Sequence, residues 1–179
     1  MIKNLQNHTH EGLTTVVYNF VDMISHAKTE MEVIKELAPD NKAYRSITQS
    51  WFKNSPLKEV LKKAAALGFK VLLTTDHGTI NVGHPSQVVG DRETSLNLRY
   101  KTGRSLSYES KEVLECKDPH SFQLPSVSMN SPFVFAKGDY YFVYKNNYNH
   151  FVNFFKNTFQ HGGVSMEEMI IPFVVLNPR

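Results

Sequence analysis

The stretch Phe69-Lys70-Val71-Leu72-Leu73-Thr74-Thr75-Asp76-His77-Gly78-Thr79 decides how this chain is read. An apolar run stops abruptly at an acid, an imidazole and a glycine. Just upstream, Ser55-Pro56 reads as a helix start, with serine as N-cap and proline at the first helical position. That helix runs through Leu57, Val60, Leu61 and Ala64 and stops at Gly68. A helix followed by a short apolar strand is half of a βαβ unit, which predicts a buried parallel strand over 69–75. Ligand sites of open α/β sheets lie beyond the carboxyl ends of the strands, so Asp76 and His77 are the first candidates for chemistry.

Bulk properties narrow the class. The 179 residues, 41% hydrophobic and 21% charged, suit one globular domain with a core of its own. A net charge of +3 suits an anionic substrate but is too small to argue nucleic-acid binding. A single cysteine, Cys116, excludes an internal disulfide framework and a cysteine-based zinc site, and so predicts a reducing compartment, the cytoplasm. No apolar stretch approaches the ~20 residues that span a bilayer. The polar start, with no signal-peptide pattern, argues against secretion.

In chain order, residues 1–12 read as a disordered lead-in, where the His8 and His10 pair has metal-binding spacing but is read as solvated or adventitious. Residues 13–20, rich in β-branched and aromatic side chains, predict a strand. Asp22 and His26 follow. On a helix their spacing puts them one turn apart on one face, close enough to share a ligand or simply to pair at the surface. The helix continues over 27–37 and ends before Pro39. A further helix over 44–52 carries Trp51, read as a packing residue.

After Gly78 the chain enters an excursion, about 82–131, expected as a lid or as a solvated hairpin insertion. Within it Arg92, Arg99 and Lys101 are the cations expected to hold a phosphate. Residues 111–131 read as loop. Residues 133–136 and 140–144 predict a β-hairpin about Gly138. The aromatic stripe from Tyr148 to Phe159 predicts an amphipathic helix facing the core. His161 then sits on a glycine-flanked turn, Ser165-Met166-Glu167-Glu168 is a capping-box pattern, and 169–176 reads as a strand bent at Pro172. Asp22, His26, Asp76, His77 and His161 thus form a donor set without cysteine, suited to zinc, with manganese less favoured. Five ligands exceed the need of one zinc and suit a two-metal site that clamps a phosphoryl group.

The segments Thr74-Thr75-Asp76-His77-Gly78, Asn97-Leu98-Arg99-Tyr100-Lys101, Asn146-Asn147-Tyr148-Asn149-His150 and 159–172 resemble the PglZ domain of the alkaline phosphatase superfamily. Within it the chain is similar to the carboxy-terminal part of PorX-type response regulators of type IX secretion in Bacteroidetes. The resemblance covers about residue 15 to the end. It implies an α/β fold, the C-terminal portion of an alkaline-phosphatase-like sheet flanked by helices, over 13–179. It also implies that Asp22, His26 and His161 bind one metal and that Asp76 and His77 bind the second. The nucleophilic Thr or Ser and an early Asp are expected upstream, so this chain alone is expected to catalyse little. Implied partners are a phosphoester or oligonucleotide substrate, an upstream receiver domain, components of the type IX secretion system and a second copy in a homodimer, with no membrane. Two rival classes stay open: a non-catalytic module that binds a nucleotide or a partner, and a basic nucleic-acid binder built on Arg92, Arg99 and Arg104, which would show steep salt dependence.

Overall fold

The computed structural model describes residues 5, 7, 12–91, 94–125 and 131–178. Arg92 and most of the expected lead-in, His8 and His10 included, lie outside them. The chain forms two units, the second interrupting the first in sequence: Met1–Asp76 with Pro172–Arg179, and His77–Ile171. Each combines helices with small sheets, and the chain is an α/β protein. Among the described residues no helix is long and apolar enough to cross a membrane.

The first unit is mainly helical. Helix α1 (Phe20–Glu30) breaks at Met31, whose extended backbone separates it from α2 (Glu32–Leu37). Ala38, buried and ahead of Pro39, ends α2 where a proline excludes α geometry from the residue before it. Helix α3 (Asn41–Lys53) opens on Asp40, whose Oδ1 accepts the Ala43 N–H at 2.7 Å. Helix α4 (Pro56–Ala66) has the expected ends. Ser55 Oγ accepts the Lys58 N–H at 3.3 Å, and Gly68 takes φ +79° just past the last turn. Trp51 stacks on Phe20 with ring centroids 3.7 Å apart, a packing role as read from its size.

Two expectations in this unit are corrected. Residues 13–19 form no strand: β-propensity expresses packing against neighbouring strands, and none of the described strands pairs with them. Strand β1 (Val71–Thr74) is neither parallel nor buried. It pairs antiparallel with β10 (Phe173–Leu176), from Val71↔Leu176 to Thr74↔Phe173. Two strands alone cannot cover both faces of the ribbon, so Leu72 is 53% and Phe173 69% exposed.

The second unit is built on two three-stranded sheets. In one, β3 (His84–Val89) lies between β5 (Ser107–Tyr108) and β8 (Tyr140–Tyr144), parallel to β8. In the other, β7 (Phe133–Ala136) lies between β4 (Tyr100–Thr102) and β6 (Val113–Cys116), antiparallel to both. Their core is Val88, Val113, Val134, Ala136 and Phe142. The stretch 82–131 therefore carries strands β3 to β6 and two of these core valines, and β6 lies in what reads as loop.

The expected hairpin over 133–144 is also corrected. The turn is there, with Gly138 at φ +46° and Tyr140 N–H donating to the Lys137 carbonyl at 3.0 Å, but β7 and β8 enter different sheets. The reason lies in the residues: Phe133-Val134-Phe135-Ala136 has no polar alternation and is buried throughout, the mark of a central strand with neighbours on both sides. Helix α5 (Tyr148–Phe155) packs Tyr148, Val152 and Phe155 against Ile80, Val82, Tyr141 and Val143. A short pair, β2 (Ile80–Asn81) with β9 (Phe159–Gln160), and the single turn α6 (Met166–Met169) complete the unit.

Candidate metal centre

In the first unit, α1 presents Asp22 and His26 one turn apart, with Asp22 Oδ1 3.5 Å from His26 Nε2. The helix is held at that turn by α3. Tyr44 Oη donates to the Val21 carbonyl at 3.0 Å and lies 2.7 Å from Ser25 Oγ, flanking Asp22 and His26 in sequence. Tyr44→Phe removes the hydroxyl from both Val21 and Ser25, but Ser25 Oγ still donates to the Val21 carbonyl at 3.1 Å, so neither group is stranded. The substitution should destabilise the protein by about 0.5–1.5 kcal/mol in urea unfolding, the net worth of a lost hydrogen bond. Asp76 is exposed just past β1, and Thr75 Oγ1 lies 3.3 Å from its Oδ1.

In the second unit the candidates are His77 and His161. The β2/β9 pairing, Ile80↔Gln160 and Asn81↔Phe159, brings the two together because one histidine precedes β2 and the other follows β9. Their rings stack, centroids 3.9 Å apart and planes 12° from parallel, with one ring nitrogen of each within 4.8 Å of the other's. His77 Nδ1 lies 3.0 Å from the Gly78 carbonyl. A carbonyl only accepts, so in this contact the Nδ1–H donates, which leaves Nε2 as the nitrogen through which this ring would ligate a metal.

Both turns are tied to α6. Gly78 N–H donates to the Glu168 carbonyl at 2.8 Å, and Gly163 N–H donates to Glu168 Oε1 at 2.8 Å. The half of the capping box in which Glu168 reaches back to the Ser165 N–H is made at 3.1 Å. A Cβ on Gly78 would overlap the Glu167 carbonyl, so this approach requires glycine.

Arg99 and Lys101, read from the sequence as cations for a phosphate, lie in the interior, 0% and 1% exposed. Arg99 Nε and Nη2 donate to the two Glu168 oxygens at 3.0 and 2.8 Å, Nη2 also to the Gly138 carbonyl, and Nη1 to the Tyr140 carbonyl. Lys101 Nζ donates to the Ser95 carbonyl at 2.7 Å and sits 4.4 Å from the centre of the Tyr144 ring. What sequence reasoning missed was Glu168, visible only as the last letter of a capping box.

Burial pushes the Lys101 ammonium down to about 8 from its ordinary 10.5. Its folded value lies below its unfolded one, so its charge costs stability at neutral pH, and that cost fades as pH rises from about 8 to 10.5. Over that window the wild type should gain stability relative to Lys101→Met in thermal melts. A gap that does not move with pH contradicts the assignment.

Imidazole and carboxylate donors without a thiolate fit a borderline divalent ion such as zinc. The parallel rings add a geometric preference. An ion bound by an imidazole lies near that ring's plane, and parallel planes do not meet, so the pair as stacked suits one ion on each ring. No curated protein matches the chain. Among protein families, residues 4–176 match the BREX system PglZ alkaline phosphatase-like domain. With a match of that extent, carried by a fold that joins small sheets to helices, the chain belongs to the PglZ family of alkaline-phosphatase-like domains.

Proposed function

We propose that this chain is the ligand-bearing part of a two-zinc phosphohydrolase acting on a phosphate mono- or diester, an oligonucleotide among them. The observation that carries the reading is the His77–His161 stack: parallel rings 3.9 Å apart suit two ions about 4 Å apart, the spacing of two-metal phosphoryl-transfer sites. In this reading Asp22, His26 and His161 hold one ion, and Asp76 and His77 hold the other. Bound zinc supplies Lewis acidity at the phosphoryl group. The chain's own residues orient the donors. The His77 Nδ1–H is held by the Gly78 carbonyl, and the turn carrying His161 is held through Gly163.

An upstream receiver domain, a type IX secretion partner, a homodimer and a cytoplasmic location complete the reading. It is tested on the full-length protein with an aryl phosphodiester. Hydrolysis should disappear on dialysis against a chelator and return on adding zinc. Hydrolysis that survives the chelator contradicts it, and zinc uptake without any hydrolysis favours a regulatory module that binds nucleotide or partner.

A further inference from the structure

We infer that Arg99 and Glu168 are positioning residues for the His77–His161 pair, one carboxylate held by one guanidinium fixing both histidine-bearing turns. Glu168 meets the two turns with different atoms. Its main-chain carbonyl accepts the N–H of Gly78, next to His77, and its side chain accepts the N–H groups of Gly163 and Ser165, just past His161. Arg99 grips both carboxylate oxygens in a fork and is itself anchored on the carbonyls of Gly138 and Tyr140 at the start of β8. Asn97 adds a third hold. Its Oδ1 accepts the Arg99 N–H at 2.7 Å, and its Nδ2 donates to the His161 carbonyl at 3.4 Å.

The loop around His161 is shaped to this pair. A Cβ on Gly163 would come within 2.7 Å of one Glu168 carboxylate oxygen and 3.1 Å of Arg99 Nε, and a Cβ on Gly162, at φ +101°, within 2.8 Å of Asn97 Nδ2. A merely structural role explains this arrangement poorly. A buried ion pair stabilises a core no better than well-packed apolar residues of similar volume. The directed bonds from one carboxylate to the turn of one histidine, and from the same residue's carbonyl to the turn of the other, would be idle in such a role.

The purpose assigned to the pair rests on the zinc reading, but the positioning itself is testable without metal. The 179-residue chain is compared with Arg99→Lys, which keeps the charge and loses the fork, and with Glu168→Asp, which shortens the reach of the carboxylate. Two readouts are taken: nuclear Overhauser contacts between the His77 and His161 rings in metal-free protein, and the visible spectrum and affinity of bound cobalt(II). Methyl resonances of Val88 and Val134 report the core. The expected result is an intact core, lost ring contacts and cobalt affinity lower by about 10–100-fold, the usual effect of disturbing groups that orient ligands. Ring contacts and cobalt binding like the wild type's, in either variant that folds, overturn the inference. If both fail to fold, Arg99→Met with Glu168→Leu leaves no unpaired buried charge. That double variant should fold and lose the ring contacts, and their retention overturns the inference. A wild type that shows the ring contacts but takes up no cobalt refutes the zinc reading and leaves the positioning inference standing.

Discussion

Replacing His161 by alanine should remove about one zinc from the full-length protein and lower phosphodiester hydrolysis at least about a hundredfold. Even partners that only orient ligands cost 10–100-fold, so a ligand itself costs the upper end or more. The effect is expected to be local. His161 is half-buried on a turn whose backbone is held by Asn97 and Glu168, and these holds remain in the alanine variant. Thermal stability of the metal-free protein should therefore stay near that of the wild type while zinc content and activity fall together. His161→Ala with unchanged zinc content would remove His161 from the centre.

Glu168→Ala should have the largest effect on stability, about 3–5 kcal/mol, because it strands the Arg99 guanidinium in the interior without its counter-charge. For a chain of this length that corresponds to a fall in thermal midpoint on the order of 10 °C. The pH dependence follows from the same bonds. Burial alone would raise the Glu168 carboxyl above its ordinary 4.5, but the Arg99 hydrogen bonds and charge, with the Gly163 and Ser165 contacts, outweigh it and hold the carboxyl below that value. A folded value below the unfolded one contributes stability that is present above pH 4.5 and is lost as pH falls further, through the folded value. Wild-type stability should fall along that acid limb. Glu168→Ala should show a shallower limb, and an identical slope in the two proteins would contradict the assignment.

What could be read from the sequence was local. The i,i+4 spacing of Asp22 and His26 needs only one helix, and the serine, proline and glycine that bound α4 act within a turn of where they stand. His77 and His161 were legible as metal-binding types, but their stacking depends on the β2/β9 register, set by side chains some eighty positions apart. A still longer separation hides the partner of β1, whose apolar run does not say that it pairs with 173–176, antiparallel. The turn at Gly138 was legible for a local reason, while the sheets that receive β7 and β8 are chosen by burial on both faces of each strand. Arg99 and Lys101 read as cations for a phosphate because guanidinium and ammonium groups suit that ligand and most cations lie at the surface. Their burial depends on Glu168, sixty-nine residues from Arg99, and on Ser95 and Tyr144 around Lys101.

Zinc bound per chain, measured by elemental analysis of protein purified without chelator, tests the centre most directly. About one zinc or more per wild-type chain is expected, with lower occupancy in both His77→Ala and His161→Ala and unchanged occupancy in a variant of a histidine outside the set, His150→Ala. A wild-type chain that holds essentially no zinc, or variants that hold as much as the wild type, would contradict it.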